Sequence, residues 1–314
     1  GAAITGIIDG QGSGHNTLDY SAYTTPVMVN LHSNFVLGLD PFSATGAAGI
    51  INIQDVLGGN GLDTLVGSSD DNILTGNAGS DHLEGRGGND SYIFADGWGA
   101  NDIIVENVSG GLDSLDFSNA TVDLTFTLGS VVVTDGFGNQ ATHSADNFEQ
   151  LIGGSGADEF IFSAEGVDLA GGAGTIDGRG GVDTLDYNAY TSGVTVNLIS
   201  GVATGTGGIS QIENAIGGSG ADNFTSDNQD NIFTGNAGND SYFFFDDFGV
   251  DTVVETAGEG TLDTLDFTDV STNLTFTISS VVVSDGLGNS VTHTGEFIER
   301  LIGGQGDDTF DFAA

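Results

Sequence analysis

Residues 58–93 read GGNGLDTLV, GSSDDNILT, GNAGSDHLE and GRGGNDSYI, four nine-residue units with no residue left over. The pattern is GGxGxDxUx, where U is a large apolar side chain. Its first six residues carry the composition of a turn. Glycine at positions 1, 2 and 4 admits positive φ and lets backbone approach closely. The last three residues make a short strand, and position 8 points into a core. Those positions are Leu65, Leu74, Leu83 and Tyr92, and later Phe224, Phe233 and Tyr242. Working outward, the unit returns as GGSGADNFT (217–225), SDNQDNIFT (226–234) and GNAGNDSYF (235–243). It also stands alone as GGSGADEFI (153–161), GRGGVDTLD (178–186) and GGQGDDTFD (303–311).

A longer period contains the short one. LDYSAYTTPVMVNL (18–31) recurs as LDYNAYTSGVTVNL (185–198), and LTFTLGSVVVTDGFGNQATH (124–143) as LTFTISSVVVSDGLGNSVTH (274–293). The chain therefore divides into two copies of one unit, residues 1–169 and 170–314. The first copy carries two extra pieces, one of them a whole turn-and-strand unit, a change that repeat architectures tolerate because each coil touches only its neighbours. Strand patterning without any capped helical stripe predicts an all-β protein: a parallel β-roll or β-helix solenoid in two tandem copies, each with an antiparallel hairpin at DGFGN or DGLGN.

Charge narrows the function. Lys and Arg total 3 against 45 Asp and Glu, a formal net charge of −42. Nucleic acid and anionic lipid both require cations facing phosphates, so neither is a partner. With 38% hydrophobic residues and 20 Phe, the chain is too apolar for a solvated coil. A compact fold of this charge needs neutralising cations. Cysteine is absent, which excludes disulfides. No apolar run is long enough for a transmembrane helix. The opening GAAITG lacks the basic and apolar regions of a signal peptide, and the closing FDFAA is expected to receive a further repeat.

The nonapeptide run resembles the RTX (repeats-in-toxin), or haemolysin-type calcium-binding, family. SYIFADGWGANDIIVE (91–106) and SYFFFDDFGVDTVVE (241–255) resemble the segment that follows such repeats. The resemblance implies a β-roll with two nonapeptides per coil, so that turns 18 residues apart stack. It also implies an ion held by carbonyls at positions 1 and 3 of one turn, 2 and 4 of the next, and the position-6 carboxylates. Calcium accepts such a mixture of six to eight oxygens. The first site so implied is Gly58, Asn60, Asp63, Asn77, Gly79 and Asp81. The second is Gly67, Ser69, Asn72, Arg86, Gly88 and Asp90. The third, in the second copy, is Gly217, Ser219, Asp222, Asn236, Gly238 and Asp240. Asp158, Asp183 and Asp308 are the acidic positions of the isolated units. Asn72 and Asn231 replace the acidic residue and lose a charge, with Asp70 and Asp230 close by in sequence. The alternative for all these residues is a series of Asx turns without metal.

Signs of catalysis are missing. There is no cysteine nucleophile, no G-x-S-x-G and no HExxH. Three arginines are few for a polysaccharide-active β-helix. His143 and His293 match between copies without evident metal partners, and Trp98 becomes Phe248, which favours packing. The chain is expected to be an extracellular or cell-surface segment, bacterial in type, that binds several Ca2+ ions and folds on binding them: an adhesin stalk, a surface-layer part or a fibre component. The alternatives are the calcium-triggered export module of a secreted enzyme or toxin, and a carbohydrate-binding or carbohydrate-active β-helix. Expected partners are copies of itself end to end, neighbouring repeats, or a carbohydrate or cell-surface ligand.

Overall fold

Period nine becomes visible as pairing in the computed structural model, which describes residues 3–12, 14–34, 36–106, 111–129, 132–143, 148–255, 260–278, 282–293 and 297–312. Each nonapeptide contributes one three- to five-residue strand, and strands two units apart pair in parallel. Val56 sits beside Leu74, Leu74 beside Tyr92, and Leu65 beside Leu83. In the second copy Phe224 sits beside Tyr242 and Ala215 beside Phe233. The separation is 18 residues in every case, so one coil is two nonapeptides. Among the described residues only Leu169–Gly172 forms a helical turn, a short 3-10 segment, so the fold is all-β.

Two compact units result: Gly1–Asp158 with Leu169–Gly181, and Glu159–Asp168 with Val182–Ala314. In the first, a parallel sheet runs through Thr17–Asp19, Asp55–Leu57, Ile73–Thr75, Ser91–Ala95, Ser114–Asn119, Gln150–Ile152 and Thr175–Asp177. A second runs through Met28–Asn30, Thr64–Val66, His82–Glu84, Asp102–Val105 and Gln140–His143. The second unit repeats the arrangement. One sheet holds Glu159–Phe162, Thr184–Asp186, Asn214–Ile216, Ile232–Asn236, Val250–Glu255 and Ser290–His293. The other holds Thr195–Asn197, Asn223–Thr225, Ser241–Phe243, Thr264–Asp266 and Arg300–Ile302.

The extra nonapeptide of the first copy has a topological consequence. One unit is half a coil, so its removal sends every later strand to the other sheet. Ser91–Ala95 pairs directly with Ile73–Thr75. Their counterparts in the second copy, Ser241–Phe243 and Ile232–Asn236, pair with different neighbours, Asn223–Thr225 and Val250–Glu255.

Position 8 fills the interior. Leu65, Leu74, Leu83, Tyr92, Phe224, Phe233 and Tyr242 are each fully buried. Each such side chain contributes about 1.5–3 kcal/mol through removal from water. Rings of successive coils stack, as Phe224 does on Tyr242 at 5.5 Å and Phe94 on Phe117 at 4.6 Å. Trp98 is buried edge-on to Phe117 at 5.2 Å, and Phe248 meets Phe267 at 5.6 Å in the same manner. This indole is a packing element.

Each copy carries its antiparallel element. Val132–Thr134 pairs with both Thr125–Leu128 and Gln140–His143, and Val282–Ser284 with Thr275–Thr277 and Ser290–His293. Asp135 closes the DGFGN turn by accepting the amides of Phe137 at 2.8 Å and Asn139 at 3.1 Å. Asp285 closes DGLGN in the same way. Further short antiparallel pairs join Met28–Asn30 to Ser43–Ala44 and Thr195–Asn197 to Val202–Ala203.

Candidate metal centres in the turns

A nonapeptide turn must satisfy its own backbone before it can offer oxygens to an ion. The position-6 side chain does much of this. Its Oδ1 accepts an amide from the turn or strand one coil earlier. Asp63 donates its amide to Asp81 at 2.8 Å, Asn72 to Asp90 at 2.8 Å, and Asp222 to Asp240 at 2.7 Å. Turns 18 residues apart therefore stack with their acidic residues in register, and the three pairs expected from the sequence are brought together.

The second oxygen, Oδ2, divides the turns into two kinds. Where position 2 is glycine, its amide donates to this oxygen. Gly59 does so to Asp63 at 2.6 Å, Gly154 to Asp158 at 2.6 Å, Gly218 to Asp222 at 2.9 Å and Gly304 to Asp308 at 2.7 Å. Where position 2 is Asn77, Arg86 or Asn236, that residue lies in the left-handed region at φ 63°, 83° and 64°. In these turns Oδ2 of Asp81, Asp90 and Asp240 is buried and has no hydrogen-bond partner. The expectation that glycine at positions 1, 2 and 4 supplies positive φ thus needs correction. Gly58, Gly59 and Gly61 are not in that region; their importance is close approach. A Cβ on Gly58 would meet the Asp63 carboxylate and the Gly76 carbonyl. Position 4 does need the freedom at Gly88 and Gly238, whose φ values are 104° and 145°.

Burial sets the electrostatics. Loss of hydration pushes the Asp81 and Asp240 carboxyls up to about 7 and Asp90 up to about 8, against the partly offsetting amides each accepts. Asp158 and Asp222, which accept two amides each, rise only to about 6. A buried carboxylate with an oxygen unanswered is costly unless it is protonated or binds a cation. The oxygens that lack a partner are hard donors, and they lie in turns rich in carbonyls. The residues present fit calcium.

The remaining expected ligands lie around these carboxylates. Gly58 and Gly217 are covered, and their carbonyls accept the side-chain amides of Asn77 and Asn236 at 2.7 Å, leaving one lone pair each. Gly79 and Gly238 abut the carbonyls of Gly61 and Gly220 so closely that a Cβ would collide. Gly67 sits against Asn72 and the Gly85 carbonyl, and Gly88 against Asp70. Asn60, Ser69 and Ser219 are exposed, and the Asn60 and Ser219 amides donate at 2.8 Å to Tyr23 and Tyr190. Arg86 donates to Glu84 at 2.7 Å. Asp183 is buried and donates its amide to Glu213 at 2.8 Å.

Asparagine at position 6 behaves differently. Asn72 Nδ2 donates to the Gln54 carbonyl at 2.7 Å, and Asn231 Nδ2 to the Glu213 carbonyl at 2.9 Å. Asn16 of GQGSGHNTLD (10–19), which stands where the second copy has Asp183, likewise donates to the carbonyls of Gln11, Gly14 and Asn52. These amides answer carbonyls as a carboxylate cannot.

The acidic stack also extends past the nonapeptides. Asp81 donates its amide to Asp102, Asn231 to Asp251, Asp90 to Asp113 and Asp240 to Asp263, at 2.8–2.9 Å. Burial pushes Asp102 and Asp251 up to about 8, and each has a buried Oδ2 without a partner. Sequence reasoning missed these four because they follow at 20–23 residues rather than 18. The signal that was available is the GLDSLDF and TLDTLDF text around Asp113 and Asp263, which keeps the D-x-U core of the unit.

No curated protein matches the chain. The family model described as RTX calcium-binding nonapeptide repeat (4 copies) matches residues 57–92, 208–243 and 293–311. These segments hold the stacked Asp63–Asp81, Asn72–Asp90 and Asp222–Asp240 pairs and the Asp308 turn. In them the chain is built of calcium-binding nonapeptide repeats of the RTX family.

Proposed function

We propose that this chain is a non-catalytic structural segment of a secreted or surface-displayed protein, which folds when calcium neutralises its turns. The observation that carries the reading is the set of buried Asp oxygens without partners at Asp81, Asp90, Asp102, Asp240 and Asp251. In metal-free neutral solution each asks for a proton or a cation. Proteins with RTX repeats are typically secreted, and extracellular calcium is abundant enough for sites with Kd of about 10⁻⁴–10⁻³ M. Binding free energy then becomes folding free energy.

Tandem duplication supports a spacer, stalk or fibre role, because repeats add length in solenoids. Sedimentation velocity across a calcium titration tests this. Compaction followed by larger assemblies at millimolar calcium supports a self-associating fibre or surface-layer segment. A compact particle that stays monomeric contradicts self-association and favours an export or spacer module.

A further inference from the structure

We propose that Asp90, Glu106 and Asp113 in the first unit, and Asp240, Glu255 and Asp263 in the second, form a distinct class of divalent-cation site, built from three converging carboxylates instead of turn carbonyls. The inference rests on the calcium reading of the repeats and adds a ligand, the glutamate, that lies outside the nonapeptides.

Glu106 directly follows the strand Asp102–Val105, and Glu255 ends the strand Val250–Glu255. In each unit one oxygen from each of the three residues lies within 4.8 Å of the other two, and all three residues are buried. Asp90 Oδ2, Asp240 Oδ2 and Glu255 Oε2 have no hydrogen-bond partner, although Asp90 and Asp240 are about 1% exposed or less and Glu255 2%. Three carboxylates this close and this dry repel one another strongly unless a cation lies between them.

Two further features shape the site. Position 8 is Leu or Phe in the preceding units but Tyr92 and Tyr242 here. The Tyr92 hydroxyl bonds Glu106 Oε1, and the Tyr242 hydroxyl donates to Glu255 Oε1 at 2.5 Å. The phenol orients the glutamate, and in the second unit Glu255 Oε2 is left for the ion. Gly85 and Gly235 provide the space. A Cβ on Gly85 would collide with Glu106 Oε1, Asp90 Oδ2 and the Tyr92 hydroxyl, and one on Gly235 with Glu255 Oε1, Asp240 Oδ2 and the Tyr242 hydroxyl. His143 acts on the backbone instead, its Nε2 accepting the Glu106 amide at 3.2 Å. The constellation is rebuilt in the second unit even though the preceding coil has lost a nonapeptide. Oxygen-only donors select a hard ion, and calcium or a lanthanide substitute fits.

The test measures bound calcium by equilibrium dialysis with elemental analysis, together with terbium emission excited through tyrosine. The wild type, E106Q/E255Q and Y92F/Y242F are compared. The proposal expects the glutamine pair to bind two fewer ions per chain at unchanged far-UV circular dichroism. It expects the phenylalanine pair to keep the ions but lose the share of sensitised terbium emission that Tyr92 and Tyr242 supply, with Tyr23 and Tyr190 still beside the turn sites. If the glutamine variant does not fold, the phenylalanine pair decides: retained ions with undiminished emission overturn the proposal. Unchanged stoichiometry in a folded glutamine variant overturns it as well and leaves the turn sites standing. A wild type that takes up no calcium overturns the reading of the repeats themselves.

Discussion

The amide of Asp63 donates to Oδ1 of Asp81 at 2.8 Å, while Oδ2 of Asp81 is buried with no partner. One carboxylate therefore serves as both a structural acceptor and an open donor. Asp81→Asn separates the roles. It preserves an oxygen for the Asp63 amide and removes the charge. Folding in metal-free buffer is expected to gain about 1–3 kcal/mol from the lost desolvation penalty, while calcium affinity falls at least tenfold. Calcium titration of folding by circular dichroism, with denaturant unfolding of both proteins at saturating calcium, measures both.

Position 2 controls whether that oxygen is open. Asn77 and Asn236 are left-handed, and the carboxylates of their turns are unanswered. Asn77→Gly and Asn236→Gly allow the turn to adopt the Gly59 geometry, in which the position-2 amide satisfies Oδ2. One charge-assisted hydrogen bond is gained in the metal-free state, worth about 1.5 kcal/mol or roughly tenfold in competing calcium affinity. Calcium titration by calorimetry reads the loss.

Acid should partly replace calcium. The folded-state carboxyls of Asp81 and Asp240 titrate at about 7 and those of Asp90, Asp102 and Asp251 at about 8, raised by burial from an ordinary value of 3.8. A raised folded pKa means that the fold holds protons more tightly than the unfolded chain. The resulting stability is complete below about pH 4 and is lost as pH rises through 7 and 8. Metal-free chain is thus expected to hold more β-structure at pH 5 than at pH 8.5. Saturating calcium reverses the order, because ligand carboxylates must shed their protons. Far-UV circular dichroism without calcium and thermal melts in saturating calcium, each at the two pH values, check the sign.

Core and surface should separate cleanly within one strand. Phe233 is fully buried between Phe224 at 5.4 Å and Tyr242 at 6.3 Å, while its neighbour Ile232 is 47% exposed. Phe233→Ala is expected to cost about 3–5 kcal/mol in saturating calcium. Ile232→Thr should change stability by about 0.5 kcal/mol or less. Urea denaturation of the two variants distinguishes them.

Most of the solenoid was legible because period nine writes strand, turn and core position into the same residues. Leu65, Leu74, Leu83 and Tyr92 lie where a period of nine puts them, and Asp63 reaches Asp81 across the expected 18 residues. The sequence was less readable where coils lengthen. Asp102, Asp113, Asp251 and Asp263 continue the acidic stack through wider spacing, which a fixed period does not detect. Nor does the text GN or GR at positions 1 and 2 announce that Asn77 and Arg86 are left-handed. That follows only when the backbone is laid against the coil below. Glu106 and Glu255 stood in an ordinary apolar strand sequence, and only the fold carries them to Asp90 and Asp240.

The most direct test of calcium-coupled folding is far-UV circular dichroism of the intact chain at pH 7.5, first in chelator and then in millimolar calcium. The account predicts an unfolded spectrum in chelator and a cooperative change to β-structure as calcium is added. A full β-spectrum in chelator, unchanged by calcium, would contradict it and reduce the nonapeptides to metal-free turns.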